Sequence, residues 1–284
     1  MSRIAVVTDS TADLPPAIRE RHRITVVPLT VAFGDESFRD QVDLSTDAFV
    51  ARLLASETVP TTSQPSAGAF EATFRELAGD HDAIVAVLIS SRLSGTVESA
   101  TIARDAVAGL IPVEVVDSEN ATMGLGFQAI TAAELAAGGT LTATAIAERL
   151  RSTVRAYETL FYVDTLEYLR RGGRINRVSA LVGSMLDLKP MLRIDEGQVV
   201  PVERTRTRSR ARAALVTFVR GLPHVERLAV VHISSPAEAE SLAAEFDLTV
   251  ARDNILIAQL GPVIGTHVGP GTLGVIVDTG SPTP

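Results

Sequence analysis

Apolar runs alternate with amphipathic segments along the first half of the chain. Continuous apolar runs predict buried strands at residues 4–7, 83–89 and 113–116, and the longer run 24–33 predicts one more strand. Helical patterns lie between them, and Ser66 is a typical N-cap. Strands separated by helices of this length favour a largely parallel sheet with right-handed crossovers.

The pattern changes after about residue 158. Residues 192–203 predict a β-hairpin, and the glycine-rich run 261–274 leads into a final strand through backbone angles that glycine tolerates best. Strands and helices in this half no longer alternate regularly, which indicates a mixed sheet. We therefore predict an α/β protein of two domains, residues 1–157 with a largely parallel sheet and residues 158–284 with a mixed one.

The composition excludes several classes of site. The 284 residues include no cysteine, so disulfides, thiolate metal sites and a cysteine nucleophile are absent, and the five histidines show no metal-ligand spacing. We predict no metal and no cofactor. The net charge of −8 argues against general nucleic-acid binding. No signal peptide and no apolar run of transmembrane length is recognisable, so we expect a cytoplasmic protein without an integral membrane segment.

The segment Ser90–Thr96 has the pattern of an anion site. It joins a buried strand to a helix expected from Ser94, and the first amides of a helix lack internal partners and attract negative charge. Gly95 allows a close approach of the backbone, while Ser94 and Thr96 add hydroxyl groups. The alternative is that Ser94 only caps its helix. The residues of this segment leave both interpretations open.

Three other segments hold polar residues of uncertain role. The loop 60–66, held extended by two prolines, contains Thr62, and by itself the loop is more typical of a solvated connection. His267 lies among glycines, which indicates either contact with a ligand or a tight turn with an incidental histidine. Asp9 is better explained as a turn residue than as a nucleophile, because no second carboxylate or lysine accompanies it.

Two arginine-rich stretches, residues 170–177 and 204–212, form local positive regions in an acidic chain. Such regions can bind phosphate or an acidic partner, although arginine near a helix C-terminus is also favourable in itself. No aromatic residues are interspersed, which disfavours single-stranded nucleic acid. Docking of a partner or a phosphate is the better interpretation.

Five segments, taken in order, together resemble the DegV family of bacterial fatty-acid-binding proteins. They span essentially the whole chain: Thr8–Leu14, Thr62–Ser66, Ser90–Thr96, Leu166–Ile175 and Gly261–Gly271. The resemblance implies two α/β domains with a long-chain fatty acid, such as palmitate, between them and its tail in an apolar tunnel. It also implies that Thr62 and Ser94 hydrogen-bond the carboxylate, with Gly95 and Thr96 at the same helix start.

Some members of that family work with a fatty acid kinase, an ATP-dependent partner that converts the bound acid into an acyl phosphate. In them, the position of Arg170 resembles a kinase-docking residue, and Arg171 and Arg174 belong to the same cluster here. Arg206 and His267 match polar groups near the carboxylate or phosphate. The resemblance thus implies a role in lipid transport or fatty acid metabolism.

These observations favour a lipid-binding protein without catalysis of its own, since no GxxxxGK[ST] nucleotide-binding loop occurs. The alternative is an acyl- or phosphoryl-transfer enzyme with Ser94 as nucleophile and His267 as base, although the GxSxG motif is missing. A third alternative, a nucleic-acid-binding regulator, would depend on the arginines of 204–212.

Overall fold

The fold is described from a computed structural model that covers residues 3–175, 177–178, 188–247 and 249–280. The chain divides into two compact units. The first contains the residues up to Thr30 together with Ser63–Arg155, and the second contains Val31–Thr62 together with the chain from Ala156 onward. The predicted division at 157/158 assigned residues 31–62 to the first domain, whereas their contacts lie in the second unit.

The strands and helices of the described ranges have the following bounds. The strands are β1 (Ile4–Asp9), β2 (Ile24–Val27), β3 (Thr30–Phe33), β4 (Glu36–Arg39), β5 (Thr61–Ser63), β6 (Ala83–Leu88), β7 (Val113–Asp117), β8 (Tyr157–Tyr162), β9 (Lys189–Asp195), β10 (Gln198–Thr205), β11 (Arg227–His232), β12 (Ile255–Gln259) and β13 (Leu273–Asp278). The helices are α1 (Pro16–His22), α2 (Thr46–Ala55), α3 (Ala67–Leu77), α4 (Thr96–Ala106), α5 (Thr122–Ala137), α6 (Ala143–Ser152), α7 (Glu167–Arg171), α8 (Arg208–Gly221), α9 (Pro236–Ala244) and α10 (Pro262–Val268).

The first unit is built on a parallel sheet of order β2-β1-β6-β7. Strand β6 is buried along its whole length, as a strand covered by helices on both faces must be. Phe70 and Phe74 of α3 are fully buried against the sheet and form a tilted aromatic pair with centroids 5.8 Å apart. The parallel sheet predicted for the first domain is confirmed.

The second unit contains a six-stranded mixed sheet of order β10-β9-β8-β13-β11-β12, in which β11 and β12 are parallel and the other neighbours antiparallel. Helices α8 and α9 pack their apolar faces on it. The predicted hairpin is β9–β10, and Glu196 and Gly197 in its turn both have positive φ, which suits a two-residue hairpin loop. The mixed second sheet is confirmed.

One sequence prediction of local structure was wrong, and another was incomplete. Residues 24–33 form two strands, because Pro28 lacks an amide donor and β2 and β3 enter different sheets. The glycine-rich run after Gly261 contains helix α10: Pro262 occupies its first turn, and the Asp40 carboxylate accepts a hydrogen bond from the amide of Val263 at 3.2 Å. The absence of a side chain at Gly265 allows Phe49 and Ile233 to pack closely against this helix.

Candidate functional site

The start of α4 follows β6 at the carboxyl end of the parallel sheet, which is where open α/β sheets bind ligands. The turn before α4 is fixed by its backbone, since the amide of Ser94 donates to the carbonyl of Ser90 at 3.0 Å. The loop after β7 supports it, because Ser90 donates to the carbonyl of Asn120 at 2.9 Å. Thus two loops that follow neighbouring parallel strands together position this segment.

Ser94 is not the cap of helix α4, which was one of the two interpretations of its sequence. The helix begins at Thr96, its N-cap is Gly95, and no side chain among the described residues caps its first amides. The Ser94 hydroxyl instead lies 2.9 Å from the Thr96 hydroxyl, and Thr96 is fully buried. The structure therefore places the hydroxyls of Ser94 and Thr96 beside helix amides that have no side-chain partner in the part of the chain that is described.

Gln64 also belongs to this site, although its position in a polar loop predicted no definite role for it. A Cβ added to Gly95 would lie 2.6 Å from Nε2 of Gln64, so a glycine is needed for the amide side chain to lie over the start of α4. The only indication in the sequence was that the side-chain amide of Gln64 lies in a polar loop without an obvious structural role there. Its contact partner could not be read from that loop, since Gln64 and Gly95 are remote in the chain.

Asp9 supports the same region from β1. Its carboxylate accepts hydrogen bonds from the amide of Thr11 at 3.0 Å, from the Thr11 hydroxyl, and from the amide of Ile89 at 2.8 Å. Complete burial raises the pKa of Asp9 to about 6, and these hydrogen bonds act in the opposite direction. Asp9 is thus a buried turn residue, as the turn interpretation predicted, and its contact with Ile89 also fixes the end of β6.

Thr62 and His267 form the second polar centre, in the second unit. Thr62 lies on β5 and His267 in the last turn of α10, and the Thr62 Oγ1 atom is 2.9 Å from Nε2 of His267. Helix α10 is fixed at its start by Asp40 and by the first residue of α2, since the Thr46 hydroxyl donates to the carbonyl of Leu260 at 3.0 Å. Thr62 therefore belongs to a hydrogen-bonded site and is not simply part of a solvated connection.

His267 is held in its neutral form. Burial lowers the pKa of His267 to about 4, and the nearby positive charge of Arg174 lowers it further. Its second ring nitrogen, Nδ1, is buried and has no hydrogen-bond partner among the described residues. A neutral imidazole beside a threonine hydroxyl is an arrangement for hydrogen bonding, not for balancing a negative charge.

Arg206 and its neighbours differ in what they contact. Arg206 is exposed and forms no ion pair with the described part of the chain. Arg208, in contrast, is bound to Asp164 at 2.5 Å and lies 3.6 Å from Glu238. The structure does not place Arg206 in contact with another predicted site residue.

The three arginines predicted to dock a partner lie on or just after α7. Arg170 and Arg171 are exposed and share the Glu167 carboxylate, each with a closest approach of 2.6 Å. Arg174 donates to the carbonyl of Gly172 at 2.7 Å. Asn176 of the same cluster lies outside the described residues. The exposed guanidinium groups of Arg170 and Arg171 form a small positive surface whose charge Glu167 offsets only in part.

The sequence matches the model of the DegV family, described as an uncharacterised protein family, over residues 3–279. A DegV domain-containing protein of Streptomyces coelicolor is 43% identical over 288 residues, which cover 98% of this chain and 100% of that protein. The chain belongs to the DegV family.

Two solved DegV structures match this fold closely. A fatty-acid-binding DegV family protein from Thermus thermophilus is 34% identical and superposes with a TM-score of 0.88. The match covers 98% of this chain and 99% of the Thermus chain. DegV of Bacillus subtilis, described as a fatty acid binding protein, is 34% identical and superposes with a TM-score of 0.87. The match covers 99% of this chain and 100% of the Bacillus chain. Among the described residues of our DegV chain, no helix is long and apolar enough to cross a membrane.

Proposed function

We propose that this protein binds one long-chain fatty acid, such as palmitate, and is not itself an enzyme. One observation carries the proposal: two DegV structures described as fatty-acid-binding match this chain over nearly its whole length at 34% identity. The carboxylate accepts hydrogen bonds from Thr62 and Ser94, and the tail occupies an apolar tunnel. Burial of each methylene contributes about 0.8 kcal/mol, so the tail supplies most of the affinity and the hydroxyls supply orientation.

The pairing of Thr62 with His267 supports the role of Thr62. If the neutral imidazole donates its Nε2 proton to Thr62 Oγ1, the threonine hydroxyl keeps its own proton for another acceptor. A carboxylate oxygen is a strong acceptor for such a proton. His267 thus orients Thr62 and remains uncharged near the ligand.

The start of α4 supports the role of Ser94. Gly95 and Thr96 begin the helix without a side-chain cap, so the positive end of the helix dipole and its first amides are free to attract an anion. The Ser94 hydroxyl lies 2.9 Å from that of Thr96. If Thr96 accepts the proton of Ser94 in the absence of ligand, a carboxylate can take its place as acceptor.

The presentation of the acid to a separate kinase is the second part of the proposal. Hydroxyl donors hold a carboxylate without an ion pair and leave it nucleophilic toward a phosphoryl donor. Arg170, Arg171 and Arg174 would dock the kinase, and Arg206, which is exposed and unpaired among the described residues, would contact the phosphoryl group. Because the partner uses ATP, we place this activity in the cytoplasm, in lipid transport or fatty acid metabolism.

An acyl- or phosphoryl-transfer enzyme gains no support from the contacts of Ser94 and His267. In the described structure the Ser94 hydroxyl pairs with Thr96, which is no general base, and Nε2 of His267 pairs with Thr62. A nucleophile needs a base within hydrogen-bond reach. Hydrolysis of acyl esters that Ser94→Ala abolishes would favour the enzyme.

The test of fatty-acid binding is extraction of lipid from the purified protein, followed by mass spectrometry and by titration of the delipidated protein with palmitate. We expect about one fatty acid per chain. A protein that carries no stoichiometric fatty acid and takes none up would contradict the proposal. The kinase step is tested separately, by acyl phosphate formation with Arg170→Ala and Arg206→Ala, since fatty-acid binding can be correct without it.

A further inference from the structure

The glycine pair that ends helix α7, Gly172-Gly173, is more than a helix stop. Gly173 has a φ of +70°, a left-handed conformation that favours glycine. Gly172 has a φ of −74° and a ψ of −6°, which any residue adopts. The backbone therefore explains the glycine at 173 and leaves the glycine at 172 unexplained.

The reason for a glycine at position 172 is the imidazole of His267. A Cβ added there would overlap Nδ1 of His267 and would lie 2.8 Å from its Cε1. The nearest atoms are those of the buried ring, which Thr62 holds from the other nitrogen. Only a residue without a side chain lets this edge of the ring lie against the backbone.

A second contact of a ring with a glycine joins the same two helices, and here the ring belongs to α7 and the glycine to the end of α10. Tyr168 of α7 lies against Gly269 at the end of α10, and a Cβ at Gly269 would overlap the tyrosine ring. Gly269 has a φ of +77°, so its backbone also requires glycine. Each helix thus places a ring on a glycine of the other, which fixes the end of α10 that carries His267.

The polarity of this contact selects a tautomer of His267. Nδ1 is buried without a hydrogen-bond partner in the described ranges, and the group it faces is the Cα of Gly172. A buried N–H without an acceptor costs about 1–3 kcal/mol, whereas a lone pair facing a C–H group is a weak attraction. The proton of the neutral ring is therefore on Nε2, toward Thr62. Arg174 holds the Gly172 carbonyl at 2.7 Å and keeps the backbone in place.

We propose that Gly172 is a positioning residue for His267: the space above its Cα fixes the imidazole with Nε2–H toward Thr62, so that the Thr62 hydroxyl donates outward. The last step, donation to a fatty-acid carboxylate, rests on the proposed function. The orientation and tautomer of His267 do not, because every group that determines them is present without ligand.

The test compares Gly172→Ala with Gly173→Ala in the ligand-free protein. Both substitutions alter the same helix end, but a Cβ at Gly173 meets no atom within 4 Å, so it strains the backbone without touching the ring. Nitrogen-15 NMR of the histidine rings at neutral pH reports the tautomer, and His267→Ala assigns the signal of His267. We expect Gly172→Ala to abolish the Nε2–H signature and Gly173→Ala to retain it. An unchanged signature in Gly172→Ala would overturn the proposal.

A double-mutant cycle adds a readout in binding. Loss of one hydrogen bond of about 1.4 kcal/mol weakens palmitate binding about tenfold, which we expect of Gly172→Ala alone. In the His267→Ala background the overlap no longer exists, so Gly172→Ala should have no further effect on affinity and the double variant should fold. An equal cost in both backgrounds, or a double variant that does not fold, means that Gly172 acts as a helix stop and overturns the proposal. If neither the wild type nor any variant binds palmitate, the proposed function fails, while the NMR comparison still decides the role of Gly172.

Discussion

Thr62 and His267 are 205 positions apart in the sequence, and the Thr62 Oγ1 atom lies 2.9 Å from Nε2 of His267. The neighbours of His267 make this a directional pair, because its Nδ1 is buried against Gly172. The threonine hydroxyl is consequently fixed on one side and available on the other.

Thr62→Ala should weaken palmitate binding about tenfold, since it removes one of the two hydroxyl donors that we propose for the carboxylate. It should have little effect on the fold, because Thr62 lies on the short strand β5 and is only partly buried. Isothermal titration of the delipidated protein measures the affinity. Thr62→Ser keeps the hydroxyl and is the matched control; if it binds as weakly as Thr62→Ala, the loss is due to packing and not to the hydrogen bond.

Ser94→Ala should also weaken binding about tenfold, and it should leave the melting temperature of the ligand-free protein almost unchanged. The reason is that Gly95, and not Ser94, is the N-cap of α4. Ser66→Ala provides the contrast, since Ser66 accepts a hydrogen bond from the amide of Ala69 at 3.1 Å and its loss should cost about 1 kcal/mol of stability. If the melting temperature of ligand-free Ser94→Ala falls as far as that of Ser66→Ala, Ser94 has a capping role.

The pH dependence of stability should carry a contribution from His267. Burial lowers its pKa from an ordinary value of 6.5 to about 4, so between these values the unfolded chain binds a proton that the folded protein does not. The stabilising contribution is complete above pH 6.5 and is lost as the pH falls toward 4. Urea denaturation of the wild type and of His267→Asn over this range measures it. The free energy of unfolding of the variant should depend less steeply on pH than that of the wild type, and equal slopes would contradict the shift.

Arg206 and Arg208 should differ in their effect on stability. Arg206→Gln should leave the free energy of unfolding within about 0.5 kcal/mol of the wild type, because the side chain is exposed and unpaired in the described structure. Arg208→Gln removes ion pairs with Asp164 and Glu238 and should cost up to about 1 kcal/mol, because these groups are partly exposed. Chemical denaturation of both variants tests this. An Arg206 variant that is the less stable of the two would show that Arg206 has a structural partner.

The sequence was sufficient where structure depends on neighbours in the chain. Strand β6 is buried over its full length and was visible as an apolar run, and the β9–β10 hairpin followed from the residues of its turn. The sequence was insufficient where a distant residue decides. Helix α10 lies in a glycine-rich run that favours irregular structure, but Asp40, 223 positions away, caps its first turn.

The candidate site divides in the same way. The helix start at Ser94 was recognisable from local residue types, although its two interpretations could be separated only when Gly95 was found as the cap. The role of Thr62 depends on His267 and that of Gly172 depends on the same ring, and neither partner is near in the chain. Residues 31–62 belong to the second unit for a similar reason, since their contacts are with the chain beyond Ala156.

The proposed role of Thr62 and Ser94 is tested by comparing the binding of palmitate with that of hexadecanol, which has the same chain length and no carboxylate, in the delipidated wild type and in Thr62→Ala/Ser94→Ala. If the two hydroxyls hold the carboxylate, the wild type should prefer the acid about a hundredfold, from two hydrogen bonds of about 1.4 kcal/mol each. The double variant should bind both ligands with similar, weaker affinity. A wild type that binds acid and alcohol equally, or a double variant that keeps the full preference for the acid, would exclude this role of the two hydroxyls.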